Sequence, residues 1–427
     1  MFTPGQTQGL QQTTSHKVVI PFYAYAALSI FIGLLMLFLN LEIFDNHHFF
    51  SKTLAITHIM ALGWGSMIIF GASYQLLPVI ISSKLYSNNL AYLSFIFSAI
   101  GIPILITGFY VFDTKNLLLL GGILINIGVV FYLINVILSI YKSKKTEVRV
   151  WFMLTSSLWL FSTTFFGLIL VLNFHQTILA ESSLSYLNLH AHMGIIGWFL
   201  LMILGVGSRL IPMFLISQHQ DSKALWKIFI LVNSGLVSYL LIQIFKIHYT
   251  ANYFSILLIL LGFYFFGQFC YRAYRGRIRK KIDFPMRLSL ISVVQMILPL
   301  IVLLIVLLIF PIQQQRLSLL YGFCIFFGWI TSMIFGMTFK TLPFIIWNSV
   351  YHNKTHQGKT PAPKDLFDEK VYRAMLLSYI IGFGLSILGI ILEFYTFIWM
   401  GVFSLLISAI LYVFNSMKIM FHRQQKL

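Results

Sequence analysis

Long apolar runs constrain this chain more than any other feature of its sequence. Each run holds about 20 residues, which is enough for a helix to cross the hydrocarbon core of a bilayer. Hydrophobic residues make up 59% of the 427 residues and charged residues only 9%, and the connections between runs are mostly short. We therefore predict an all-α polytopic membrane protein, a single membrane domain over residues 1–427, with twelve transmembrane helices at about 19–40, 53–79, 90–110, 117–141, 150–175, 185–214, 227–247, 252–271, 287–310, 318–346, 372–393 and 396–417.

The net charge of +18 is distributed unevenly between the loops on the two sides of the predicted membrane domain. Loops after even-numbered spans are rich in lysine and arginine, and loops on the other side hold few. This asymmetry follows the positive-inside rule, so both termini are expected in the cytoplasm. The lipid bilayer, and not a nucleic acid, is the partner that such a charge distribution predicts. The basic loop residues are Lys142, Lys144, Lys145, Arg149, Arg272, Arg275, Arg277, Arg279, Lys280, Lys281, Lys354, Lys359, Lys364 and Lys370.

Spans two, six and ten repeat one pattern of residues. In each copy 20 residues separate the first position from a proline, and the copies lie 134 and 131 residues apart. Such a period predicts three pseudo-symmetric four-helix units, about 19–141, 150–271 and 287–417, with the polar segment 348–370 as a flexible cytoplasmic loop. The copies are His58, Gly63, Trp64, Gly71 and Pro78; His192, Gly197, Trp198, Gly205 and Pro212; and Phe323, Gly328, Trp329, Gly336 and Pro343.

The histidines of these spans are the candidate functional residues. With the amino terminus inside, His58 and His192 are expected about 10 Å below the outer interface, and His190 lies close to the same depth. Ionisable side chains inside a bilayer are costly, so their presence at matching depth indicates function. Imidazole is also the commonest protein ligand of metals, including haem iron. The alternative is that these histidines only form hydrogen bonds between helices.

A flat macrocycle between helices would need small residues beside its ligand. Ala61 and Gly65 share a helix face with His58, and Gly194 and Gly197 share one with His190. His192 is flanked by bulkier residues. Because residues two apart on a helix differ by about 200°, His190 and His192 should point to opposite sides, which leaves two separate sites, or one ligand and one supporting residue. If only one haem binds, the smaller face favours His190.

The acidic residues argue against ion-coupled transport. All eleven are predicted in loops or at the ends of spans, so no carboxylate is expected at mid-membrane for a proton relay or a cation site. They are Glu42, Asp45, Asp113, Glu147, Glu181, Asp221, Asp283, Asp365, Asp368, Glu369 and Glu393.

The sequence resembles the catalytic subunit of the heme–copper oxidase and nitric oxide reductase superfamily, whose best-known member is subunit I of cytochrome c oxidase. That family has twelve spans in three pseudo-symmetric arcs, with metal ligands on spans two, six and ten. The run from His190 through His192 to Trp198 is similar to the histidine-x-histidine helix of its C-type members. The resemblance implies that His58, His190 and His192 are ligands of heme b iron, with one or two haems bound.

Two departures limit what the resemblance implies. The family carries its histidine pair on span ten, where this chain has Phe323, and its copper site needs histidines on span seven, where residues 227–246 have none. Copper is therefore not expected, and dioxygen reduction to water is not inherited. We expect a respiratory-type haem protein for electron transport or for binding nitric oxide or dioxygen, with a cytochrome or quinol as electron donor. The alternatives are an active oxidase or reductase with an unusual metal site, and a haem-free transporter or assembly factor on the same scaffold.

Overall fold

The computed structural model describes residues 14–143, 147–278, 280–309, 314–351 and 360–423. Twelve helices in this part of the chain are long and apolar enough to cross a membrane, which confirms the predicted all-α class, and no strand occurs among the described residues. The helices are α1 His16–Leu39, α2 Ser51–Ile81, α3 Asn88–Val111, α4 Leu117–Ser143, α5 Val148–Leu172, α6 Ser183–Leu215, α7 Ser222–Ile244, α8 Tyr249–Arg275, α9 Phe284–Ile305, α10 Gln315–Tyr351, α11 Glu369–Leu392 and α12 Tyr395–Met420.

Side chains that accept hydrogen bonds from backbone amides cap the starts of several helices. Ser15 accepts a hydrogen bond from the Lys17 amide before α1, Asp221 one from Ala224 before α7, and Asp283 one from Met286 before α9. Such caps satisfy amides that have no partner within the helix.

The described residues fall into two compact units. Unit 1 contains residue 14 with residues 73–108 and 112–282, and unit 2 contains residues 15–72, 109–111 and 283–423. The boundary cuts α2 after residue 72, so the histidine end of that helix belongs to unit 2. The arrangement of three four-helix units stays a prediction.

Unit 1 is built from helices that approach one another through glycine. A Cβ on Gly121 of α4 would lie 2.5 Å from the Leu105 amide nitrogen of α3. A Cβ on Gly262 of α8 would lie 2.6 Å from a methyl group of Val232 on α7. Small residues let helix backbones come close where lipid provides no hydrophobic driving force between helices.

The last two helices of unit 2 also approach each other closely at glycine residues. Gly389 of α11 would place a Cβ 2.6 Å from the Ile398 amide nitrogen of α12, and Gly382 of α11 one 2.7 Å from the Leu405 amide nitrogen. α12 also packs on α1, and α9 packs on α10.

Local structure recurs at repeat-equivalent positions. Gly71 of α2 packs against Phe22 of α1, and Gly205 of α6 packs against Phe152 of α5. In the third copy, Gly336 of α10 packs against α9 in the same way. The helices that contain the repeat, α2, α6 and α10, are called the marked helices below. Each of them contacts the helix that precedes it in the chain, through the glycine that the sequence repeat shares.

The ends of the marked helices differ in one copy. α2 and α6 are each followed by a residue in the left-handed region, Ser82 at φ 52° and Ile216 at φ 51°, and each lies 24 positions after the histidine that begins the repeat, His58 or His192. α10 continues to Tyr351 instead, so residues 348–351 of the predicted loop 348–370 are helical. Residues 363–366 form a short 3-10 helix, and residues 352–359 lie outside the described part of the chain.

Candidate functional site

Each marked helix changes from α to π geometry directly after the first residue of the repeat, which is called its marked residue. The π segments are Ile59–Ser66 after His58, Met193–Leu200 after His192 and Cys324–Ile330 after Phe323. π geometry is rare, and it is frequent at functional sites. Its occurrence at the same position in three helices shows that the sequence repeat is also a repeat of local backbone structure.

Hydroxyl groups support two of the three π segments. Ser66 donates to the carbonyl of Ala61 at 2.8 Å, and Thr331 donates to the carbonyl of Phe326 at 2.6 Å, five residues back in both cases. Leu200 takes the equivalent position in α6 and cannot donate. The π geometry therefore forms with or without the hydroxyl.

His58 is held in a defined orientation within unit 2. Its Nδ1 lies 2.8 Å from the carbonyl oxygen of Leu54, one turn back on α2. Its ring stacks on Phe109, with centroids 4.3 Å apart and 24° between the planes. A carbonyl only accepts, so Nδ1 carries the proton and a neutral His58 has its lone pair on Nε2. That is the tautomer that a histidine needs to bind a metal through Nε2.

His192 has the same backbone hydrogen bond within unit 1. Its Nδ1 lies 2.7 Å from the carbonyl oxygen of Asn188, again four residues back, and its ring centroid is 5.2 Å from that of Tyr239 on α7. The lone pair of neutral His192 is therefore also on Nε2. Both His58 and His192 are half-buried.

His190 occupies a different environment. Its imidazole lies against Gly167 of α5, where an added Cβ would be 2.8 Å from Cε1, and it has a ring contact with Phe166 at 6.4 Å. His190 thus contacts α5 whereas His192 contacts α7.

The small residues beside the histidines serve helix packing in part. A Cβ on Gly194 would lie 3.3 Å from Thr163, and one on Gly197 would lie 2.7 Å from Trp159, both on α5. The small face beside His190, which we predicted to accommodate a macrocycle, is therefore in contact with α5. In α2, the Ala61 carbonyl accepts the Ser66 hydrogen bond, and Gly65 is buried.

The third copy replaces imidazole with an aromatic cluster. Phe323 stacks on Phe327 at 4.9 Å and on Phe383 of α11 at 5.9 Å, and Phe44 contacts it edge-on at 6.3 Å. Phe323 is 4% exposed, so this position is an apolar core contact in α10.

A buried arginine at the start of α5 was placed among loop cations by the sequence alone. Arg149 is only 5% exposed; its Nε donates to the Ser208 hydroxyl at 3.2 Å, and its guanidinium pairs with Glu147. In unit 2, Lys340 pairs with Asp283 at 2.6 Å. An acidic residue directly before α5 and before α9 was the available signal for these pairs.

The candidate ligands do not form a metal-ion cluster. Among the described residues, no group of three or more histidine, cysteine, aspartate or glutamate side chains could hold a metal ion. A haem requires only one or two axial ligands, so this observation does not bear on haem. A scan against models of protein families finds no match, and a search of curated proteins finds none either.

Proposed function

We propose that this chain is a membrane haem protein of the heme–copper oxidase type that binds one or two b-type haems and acts in electron transfer or in binding a diatomic gas. The observation that carries the proposal is the shared geometry of His58 and His192. Each precedes a π segment, and each bonds through Nδ1 to the carbonyl four residues back. We assign these two residues as the first candidates for axial ligands through Nε2, and His190 as the third.

The surroundings of the two histidines suit an iron ligand. A hydrogen bond from Nδ1 to a carbonyl fixes the ring and raises the basicity of Nε2. Phe109 restrains the His58 ring by stacking at 4.3 Å, and Tyr239 contacts the His192 ring. The bound haem would supply reversible one-electron chemistry, or an open coordination position for nitric oxide or dioxygen. The chain's own residues hold each imidazole through one backbone carbonyl and one aromatic ring.

The same proposal places the protein in the bacterial cytoplasmic membrane, with both termini inside and a cytochrome or quinol as electron donor. The loop asymmetry of lysine and arginine supports the orientation of the termini; the membrane and the donor follow from the resemblance to the oxidase family. Since α7 carries no histidine and α10 carries Phe323 at the marked position, we propose no copper and no conventional oxidase turnover. Purified protein given a reduced donor should consume dioxygen no faster than free haem; rapid, cyanide-sensitive uptake with stoichiometric copper would establish the active-oxidase alternative.

A second candidate function is a haem-free transporter or assembly factor on this scaffold. One observation favours it: Gly194 and Gly197 contact Thr163 and Trp159 of α5, so they do not leave an open face beside His190.

Visible spectra of purified variants separate the two candidates. Under the haem proposal, the native protein has a Soret band, and His58→Ala and His192→Ala each lose or alter it while the protein still inserts. His248→Ala is the matched control, because His248 lies in an exposed turn and bonds to Thr250, and its spectrum should match the native one. If His190→Ala abolishes the band and His192→Ala does not, the ligand on α6 is His190.

A further inference from the structure

Two connecting segments meet at one end of unit 1. α6 ends at Leu215 with Ile216 as its C-cap, and the segment after α8 lies alongside, with an antiparallel bridge between Ser217 and Arg277. The Ile278 amide donates to the Ile216 carbonyl at 3.2 Å. We name residues 216–228, 270–278 and 280–282 the basic-turn surface.

The basic-turn surface is strongly positive. Its described residues include seven bases and one acid, Asp221. Asp221 is already engaged, because it caps α7 at the Ala224 amide and lies 3.6 Å from Arg272. The bases are Lys223, Lys227, Arg272, Arg275, Arg277, Lys280 and Lys281.

Two side chains on this surface have buried nitrogens without a hydrogen-bond partner among the described residues. They are Nε of Arg277 and Nε2 of His219. Arg277 is also held in place: its guanidinium lies 3.9 Å from the Tyr274 ring centroid, and its Nη1 donates to the Tyr274 carbonyl at 2.7 Å. Buried polar atoms are nearly always paired in native structures, so a group that accepts hydrogen bonds would pair Arg277 Nε, and would pair His219 Nε2 in the tautomer that has its hydrogen there.

Exposed aromatic and aliphatic side chains border the charges. Tyr264 and Tyr271 on α8 are each 59% exposed, and Ile278 in the turn is 66% exposed. Tyrosine is enriched where membrane meets water, at the depth of lipid headgroups. A purely solvated charged face would not need this apolar border.

We propose that the basic-turn surface binds the phosphate headgroup of an anionic phospholipid. Arg277 and His219 contact the phosphate, while Arg275, Lys280 and Lys281 supply the surrounding positive potential. Each lysine or arginine near an anionic membrane surface contributes about 1 kcal/mol, or roughly fivefold in affinity. This proposal does not depend on haem binding.

Native mass spectrometry of the full-length protein, titrated with phosphatidylglycerol or phosphatidylcholine, tests the proposal. We expect phosphatidylglycerol to bind in preference. The triple variant Arg275→Gln, Lys280→Gln, Lys281→Gln should weaken that binding by at least about tenfold. The control triple Lys84→Gln, Lys364→Gln, Lys370→Gln removes the same charge from exposed positions elsewhere and should change it less than about twofold.

Two further measurements distinguish a specific phosphate site at Arg277 from non-specific attraction by the surrounding positive charges. Arg277→Lys keeps the charge but loses the planar guanidinium, so it should also weaken phosphatidylglycerol binding. In the native protein, the affinity for phosphatidylglycerol should fall as the salt concentration rises. This measurement does not require any variant to fold. Equal losses from both triples, equal affinity for the two lipids, or displacement of phosphatidylglycerol by millimolar inorganic phosphate would each overturn the assignment to a lipid headgroup.

Discussion

Helices α2 and α10 share a distorted backbone but differ at the residue that precedes the distortion. Both change to π geometry at the same repeat position, and both use a hydroxyl, Ser66 or Thr331, to bond a carbonyl five residues back. α2 has His58 before that segment, bonded to Leu54, whereas α10 has Phe323, stacked on other aromatic rings. The π segment therefore does not depend on histidine. It belongs to the scaffold, and the imidazole of α2 needs a separate explanation.

Helix α6 shows that the π segment does not depend on the hydroxyl either. It has His192 and the π segment, but Leu200 stands where the other copies have a hydroxyl. The histidine and the hydroxyl thus vary independently among the three copies, whereas the π segment is present in all of them. What α2 and α6 share, and α10 lacks, is the imidazole with its Nδ1 bonded to a backbone carbonyl.

The largest expected effect comes from making α2 like α10. His58→Phe removes a candidate iron ligand and leaves an aromatic ring at the marked position, so haem content should fall by at least half while the helix content stays the same. Phe323→Leu, a conservative change in the aromatic cluster, is the control and should keep the native haem content. Pyridine haemochrome assays with circular dichroism measure both. Native haem content in His58→Phe would remove His58 from the ligand set.

The next largest effect concerns the packing that all three copies share. Gly205→Ala would place a Cβ 2.5 Å from the Phe152 Cβ, so α5 and α6 must separate. Overpacking of this kind costs about 1–3 kcal/mol. Gly322→Ala is the matched control, since a Cβ there meets nothing within 4 Å. Thermal unfolding in detergent should show a lower Tm for Gly205→Ala and a nearly unchanged one for Gly322→Ala; equal Tm values for the two variants would contradict the repeated glycine contact.

A smaller effect should follow from the hydroxyl groups. Thr331→Val in α10 and Ser66→Ala in α2 each remove a donor to a backbone carbonyl, which costs about 1 kcal/mol. Thr331 also accepts the indole hydrogen of Trp64 at 3.1 Å, so its replacement should cost more than that of Ser66. The difference in Tm between the two variants checks this order. Haem content should stay native in both, because neither change touches an imidazole.

The smallest effect concerns the turn before α2. Burial lowers the pKa of His48, and the neighbouring His47 adds to the shift. A lowered histidine pKa means that the folded state resists protonation, so stability is greatest above the unfolded pKa of about 6.5 and falls as the pH drops through it. His48→Gln should flatten the dependence of Tm on pH between about 7 and 5. A slope equal to that of the native protein would show that the His48 side chain is not the group responsible.

The sequence was sufficient to predict the twelve helices and the repeat of the marked ones. Apolar runs of about 20 residues have few structural outcomes, and backbone hydrogen bonds in lipid must be satisfied within a helix. The repeated glycines were also informative, because Gly71 and Gly205 contact the preceding helix in the same way.

Other features were not predicted from the sequence. The π segments add no residue to one copy relative to another, since His58 to Pro78 and Phe323 to Pro343 both span 20 residues. The contacts of Gly194 and Gly197 with α5 depend on tertiary packing, and a glycine face looks the same in sequence whether a helix or a cofactor fills it. Arg149 looked like a loop residue because hydropathy counts its charge, while its burial depends on Ser208, 59 residues away.

The haem content of the native protein is the most direct test of the central claim that the histidine copies are haem sites on a repeated scaffold. Protein expressed with sufficient iron, purified in mild detergent and assayed as the pyridine haemochrome should contain one or two molecules of protohaem per chain. Its reduced spectrum should show sharp α and β bands if the iron is six-coordinate. A protein that is fully folded and contains no haem, even after reconstitution with hemin, would contradict the claim and leave the histidines as hydrogen-bonding residues of the scaffold.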